Sequence, residues 1–439
     1  EEKKWLNDAK FYLHKHEIEL WAGLSRLTRL QMPLYEDAAL AVNFISSIYI
    51  PYVYFVLREA QKRKISRLYF LSRDGLIFLQ IAKNIQQGFE NVECKYLKVS
   101  RKSLYPCILY EVNDYEMSLI LTRDKTVAQN LECIGIPYCE LSQETRKCFA
   151  QHVILNSDSK ITAFKNMLQK NDAELMKTYS VKKRKVFLDY LKQEDFFSSK
   201  CALVDLGWIG TGRCAVNYIL KKEGFHSVPM FYWGVNQKLK YGMLDDELIV
   251  FNHNFDFEKK YSCADMILEH YASMNNEATV EGYQEKEGKI EPKQGVNDNC
   301  NYSMVLLNKE AVENFVKNMN GFNSLNGVSS EALYDIFLCC GLKQMERIIN
   351  LPDSTTISVL KKVKIEDFGK TKSLGSFLSV KDILSLFVWG VPVSTCWVSL
   401  SVKKTFGIFA PFFKFVYTKT SRSDFSKYLI SWWERKKAK

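Results

Sequence analysis

Three times before residue 213, a short apolar run ends abruptly in a polar loop and gives way to a helical or helix-starting pattern. Arg67-Leu-Tyr-Phe-Leu71 runs into Ser72-Arg-Asp-Gly75, and a helical stretch, Leu76 to Gln87, follows. Cys94 to Val99 ends in Ser100-Arg-Lys-Ser103. Cys201 to Val204 ends in Asp205, then Leu206-Gly-Trp-Ile-Gly-Thr-Gly212 opens a helix, Arg213 to Lys222, and a fourth strand is expected at Val228 to Val235. Strands alternating with helices predict β-α-β units and therefore an α/β fold on a parallel sheet. In such sheets ligands bind beyond the carboxyl ends of the strands. The three polar loops occupy that end.

The rest of the chain reads as helical. Residues 5 to 30 carry apolar side chains at near-helical spacing, and a second helix is expected from Ala38 to Lys64 with an apolar, aromatic middle. Residues 114 to 200 read as a helical insertion, and the basic run Lys182 to Lys185 within it as a solvated helix face. Helices are again expected at Cys263 to Ser273, Lys309 to Asn320 and Glu331 to Asn350. This divides the chain into an N-terminal helical region (1–64), an α/β core (65–255) with its insertion (114–200), a second helical region (256–375) and an apolar, basic C-terminal region (376–439). Sparse Gly (20) and Pro (9) agree with a helix-rich fold rather than one of many tight turns.

Charge matters through its location. The net charge is +11, and Lys403 to Lys439 hold ten Lys or Arg against two acids, +8, leaving +3 for the first 402 residues. A nearly neutral body does not offer a general nucleic-acid surface. The basic tail also carries Phe406 to Tyr417, rich in aromatics, and Trp432-Trp433; this mixture suits an anionic membrane surface, or a C-terminal helix packed on the core. Residues Ile383 to Val402 are uncharged, but Gly390 and Pro392 interrupt them, so a buried or interfacial helix pair is expected rather than a membrane span. The 12 Cys form no Cys-x-x-Cys pair, which predicts neither a zinc framework nor a disulfide scaffold and points to a reduced, cytoplasmic setting.

The loops themselves carry chemistry. Gly207, Gly210, Thr211 and Gly212 after a strand allow backbone amides to approach an anion at a helix start, with the Thr211 hydroxyl as a further donor; the same pattern also makes a simple helix-capping turn. Asp205, at the strand tip, suits sugar hydroxyls or a magnesium ion. Ser72, Arg73 and Gly75 form a second anion loop, where Gly75 permits an unusual dihedral, and Asp74 among such donors suggests a metal joining the phosphate. Ser100, Arg101 and Lys102 add cations at the next strand end, Arg being suited to bidentate phosphate contact. The set fits a ligand with phosphates at two ends.

Such a layout resembles type I phosphoribosyltransferases, whose ligand is phosphoribosyl pyrophosphate. Leu206 stands where those enzymes usually have a second acid. Tyr69-Phe-Leu-Ser-Arg-Asp-Gly75, Tyr96-Leu-Lys-Val-Ser-Arg101 and Val204-Asp-Leu-Gly-Trp208 with Gly210 look like the glycan phosphoribosyltransferase domains of bacterial two-domain ribofuranosyltransferases, polysaccharide-locus proteins often described as haloacid dehalogenase-like hydrolases. The likeness runs from about residue 44 to 290 and takes in Glu269 and Asn276 to Tyr283. It implies a phosphoribosyltransferase-type sheet and transfer of 5-phosphoribosyl to a hydroxyl of a surface-polysaccharide acceptor, with a phosphatase domain or protein removing the 5-phosphate later. It further implies a lipid-linked glycan at the cytoplasmic face of the inner membrane.

On this reading Arg73, Asp74, Gly75 and Arg101 hold pyrophosphate and metal, Asp205 the ribose hydroxyls, and Gly210, Thr211 and Gly212 the 5-phosphate. Magnesium would sit on Asp74 and Asp205. Trp208 walls the ribose or belongs to the core. Glu269 and Glu277 are candidate bases. Two alternatives stay open: a haloacid dehalogenase-type sugar phosphatase, whose Asp-x-Asp-x-Thr signature is missing here, and a non-catalytic phosphoribosyl-ligand binder.

Overall fold

The computed structural model describes residues 1–33, 35–85, 88–236, 247–253, 264–273, 275–296, 301–321, 328–350, 352–367, 370–374, 377–383, 398–410 and 412. Its centre is a five-stranded parallel sheet of β1 (Arg67–Leu71), β2 (Glu93–Leu97), β3 (Cys201–Trp208), β4 (Met230–Val235) and β5 (Leu248–Asn252), in the order β2-β1-β3-β4-β5. The chain is therefore α/β, as the strand–helix alternation requires.

Both faces of the sheet are buried, as parallel sheets demand, and side chains alternate between them. Leu68, Phe70, Val204, Leu206, Phe231, Trp233 and Phe251 face a core shared with the N-terminal helices and with helices Tyr302–Gly321 and Lys343–Asn350. Tyr69, Leu71, Leu203, Met230, Tyr232 and Val250 face a second core built largely from residues 104–220. Residues 104–220 thus supply a full layer of the fold. Helix Ser46–Lys62 lies directly on the sheet, and its Tyr52 hydroxyl reaches the carbonyls of Asp205 (2.9 Å) and Phe231 (3.1 Å). Asp37–Lys62 is the one stretch among the described residues long and apolar enough to cross a membrane, and nearly all of its apolar window is buried inside the protein.

Several expectations need correction. The first helix is two, Glu2–Ala9 and Lys15–Gln31, because the chain turns over Lys10 to His14. The third strand continues to Trp208, so Asp205 lies inside it and not at its tip; Asp205↔Tyr232, Gly207↔Gly234 and Trp208↔Val235 pairing with β4 outweighs the poor β propensity of Asp and Gly. A fifth strand was not expected. Region 256–375 is not wholly helical: it holds a hairpin, β6 (Val280–Lys286) with β7 (Lys289–Gln294), and a second short one. In the basic run, Lys182, Lys183 and Lys185 are exposed, but Arg184 is buried, 3.5 Å from the Tyr110 ring and 3.1 Å from Glu223. Most of Ile383 to Val402 and everything beyond Phe412, including Trp432-Trp433, lie outside the described residues.

Candidate active site

The strand order reverses at β1, whose neighbours are β2 and β3. That is the topological switch point, where a crevice opens beyond the strand ends. A cavity of about 840 Å³ lies there. Ser72, Arg73 and Asp74 after β1, Ser100, Arg101 and Lys102 after β2, and Asp205, Gly212 and Glu269 all line it. A second cavity, of about 910 Å³, lies between the N-terminal helices and residues 344–356, away from every strand end; its Arg29 and Arg347 already pair with Glu2 and Glu1.

The loop after β1 is strained and tied down. Arg73 adopts a left-handed backbone (φ 72°), a conformation costing about 1 kcal/mol or more for a residue with a side chain. The unusual dihedral therefore belongs to Arg73, not to Gly75 as expected. Gly75 is required for another reason: a Cβ there would lie 2.9 Å from the Phe70 backbone, so glycine lets helix Gly75–Asn84 start flush against β1. The Ser72 hydroxyl donates to the Val99 carbonyl (2.6 Å), joining this loop to the one after β2.

After β2, Ser100 caps the short helix Arg101–Leu104 in a reciprocal capping box with Ser103. Lys102 bridges Glu132 and Glu281, each at 2.7 Å, so its charge is engaged at the cavity rim. Arg101 faces the acids, together with Arg73.

After β3, Gly207 does not touch the cavity. At φ 121° its missing Cβ would sit 2.1 Å from the Gly234 carbonyl, so it serves sheet packing. Gly210 is left-handed (φ 80°) and precedes helix Thr211–Lys222. Thr211 lies within hydrogen-bonding reach of the Tyr105 hydroxyl, which also meets Arg101. Trp208 packs edge-on to Trp233, ring centres 6.0 Å apart, and its indole favours the ionised form of the nearby Glu269.

Electrostatics set the loops in one field. Burial pushes Asp74 well above its ordinary range, and Glu269 and Asp205 push it further; Arg73 and Arg101 oppose them. Burial raises Asp205 to about 6, against the Leu206 amide and Arg101. Burial also raises Glu269, with Arg101 opposing. Three carboxyl groups thus share a low-dielectric space with Arg101 as their common counter-charge. Among the described residues no group of three or more His, Cys, Asp or Glu is arranged to hold a metal ion by itself. Two carboxylates that resist simultaneous ionisation are still a donor set that a divalent cation would relieve.

No protein-family model matches this chain, and no curated protein matches it.

Glu277 stands away from the cavity lining. It accepts from the Tyr96 hydroxyl (2.6 Å), its amide bonds Asn275, and Lys98 approaches at 3.9 Å. Several lining residues were not anticipated: Tyr105, Thr122, Lys125, Gln129, His270 and Thr279. Thr122, Lys125 and Gln129 come from the helical segment between β2 and β3, which walls the site. Nothing in local spacing marks them, since only packing of the second core brings that segment over the strand ends.

Proposed function

We propose that this protein is a glycan phosphoribosyltransferase, with a phosphoribosyltransferase-type sheet whose insertion covers the site. The observation that carries this reading is the convergence of the loops after β1, β2 and β3 on one cavity at the switch point, with acids and arginines facing each other. Phosphoribosyl pyrophosphate would lie with its 5-phosphate against Gly210, Thr211 and Gly212 and its pyrophosphate against Ser72 to Gly75 and Arg101. Asp205 would hold the ribose hydroxyls.

In transfer, the bond from the anomeric carbon to pyrophosphate breaks, and the acceptor hydroxyl oxygen bonds to that carbon. Arg73 and Arg101 bind the charge that develops on the leaving group. Glu269 is the better placed of the two candidate bases: it lines the cavity, and burial raises its pKa, which makes it a stronger proton acceptor than an exposed carboxylate. Asp74 and Asp205 are the residues that would hold magnesium, which would neutralise phosphate charge at the site. The acceptor is a lipid-linked glycan met at the cytoplasmic face of the inner membrane, the basic tail touching anionic lipid, and a separate phosphatase completes the ribofuranose.

The test is incubation with phosphoribosyl pyrophosphate, magnesium and a synthetic or lipid-linked glycan. Acceptor heavier by one phosphoribosyl unit is expected. Release of orthophosphate from sugar phosphates without any transfer would replace this reading with the phosphatase one.

A further inference from the structure

Arg73 is held in its left-handed conformation by side chains far from it in sequence. Its amide donates to the Tyr96 hydroxyl (2.9 Å), its guanidinium reaches the Thr279 hydroxyl (3.2 Å), and the Tyr96 hydroxyl in turn donates to Glu277 (2.6 Å). Strain of this kind persists only where the surroundings over-determine it. The tie runs from β1 through β2 to residues 275–280, the segment that enters the hairpin. It also consumes the Arg73 amide, so anion binding by this loop falls to the Arg73 side chain and the amides that follow it. A phenol that accepts from an amide and donates to a carboxylate cannot be replaced by a phenyl ring without leaving both partners short.

We propose that Tyr96, clamped by Glu277, is a positioning residue that sets the Arg73 loop for pyrophosphate. The proposal rests on the transferase reading for its ligand, but the tie itself exists without ligand.

Three measurements on the full chain test it. Hydrogen exchange at the Arg73 amide, without ligand, should speed up about tenfold in Tyr96→Phe, the scale of one lost hydrogen bond. Magnesium pyrophosphate, titrated by calorimetry, should bind about tenfold more weakly to the variant. In transfer, KM for phosphoribosyl pyrophosphate should rise with acceptor KM unchanged. Glu277→Gln keeps an acceptor for the phenol and should leave the Arg73 exchange rate and the pyrophosphate affinity near those of wild type. Glu277→Ala should resemble Tyr96→Phe, and the double variant should lose no more than either single one. Unchanged exchange at Arg73, or unchanged pyrophosphate affinity beside a lowered Tm, overturns the proposal by reducing Tyr96 to a packing role. If wild type binds neither pyrophosphate nor phosphoribosyl pyrophosphate, the transferase reading falls instead, and the exchange rate alone then decides whether Tyr96 holds the loop.

Discussion

The loops after β1 and β3 solve the same problem by different means. Each carries a non-glycine residue in left-handed backbone, Arg73 (φ 72°) and Trp208 (φ 77°). Around Trp208 the chain supplies glycines on both sides, Gly207 and Gly210, and the sheet itself holds the turn through pairing with Gly234 and Val235. Around Arg73 no glycine adopts positive φ, and the turn is held by hydroxyl groups from Tyr96 and Thr279. A turn fixed by sheet pairing is rigid by topology. One fixed by side chains depends on residues that can be removed singly without unfolding the sheet.

Three experiments bear on this contrast, and the largest effect is expected on the β3 side. Gly207→Ala drives a Cβ into the Gly234 carbonyl in a backbone region closed to side chains, and should cost about 3 kcal/mol or more. Urea unfolding measures it; a loss below about 1 kcal/mol would mean the turn is not held by close sheet packing.

Asp205→Asn addresses chemistry in place of packing. Transfer should fall about 100-fold or more while the thermal transition stays at least as high as in wild type, since a crowded carboxylate has been neutralised. The pH dependence follows from the direction of its shift. The folded protein holds the Asp205 proton more tightly, at about 6 against an ordinary 3.8, so its contribution to stability is fully present below 3.8 and is lost as pH rises through about 6. The variant should lack that part of the slope in chemical unfolding followed from pH 3.5 to about 7. An identical slope would show that Asp205 does not share the crowded field.

The smallest effect is expected at Lys102. Its ion pairs with Glu132 and Glu281 are partly solvated, so Lys102→Ala should cost less than about 1 kcal/mol and slow transfer less than about fivefold. A loss matching that of Arg101→Ala would add Lys102 to the group that binds pyrophosphate.

Much of this was legible before the structure. Arg67–Leu71 stands as a strand because five residues of mostly apolar character end at a Ser-Arg-Asp-Gly turn. The polar loops were legible for the same reason, and Ser72, Arg73, Asp74, Ser100, Arg101, Lys102, Asp205, Gly212 and Glu269 do meet in one cavity. Gly75, Gly207, Trp208, Gly210, Thr211 and Glu277 are not among its lining residues. Gly207 shows why: a glycine needed for a phosphate and one needed for a neighbouring strand look alike in sequence. β5 was missed although Leu248–Asn252 is as apolar as β1, whereas the β6–β7 hairpin was missed because Val280–Lys286 is largely polar, so that pairing, not propensity, makes it a strand.

Local sequence by itself determined the alternation of strand, polar loop and helix, and with it a parallel sheet whose loops carry acids and arginines at one end. That information is local: periodicity and turn chemistry act over a few residues. Only the tertiary structure decided the strand order that places β1 between β2 and β3, the burial that raises Asp74, Asp205 and Glu269 together, and the approach of Tyr96, Thr279 and residues 122–129 to the loops. Those depend on contacts between segments tens to hundreds of residues apart, where the energy comes from shared burial and mutual charge rather than from any residue's own preference.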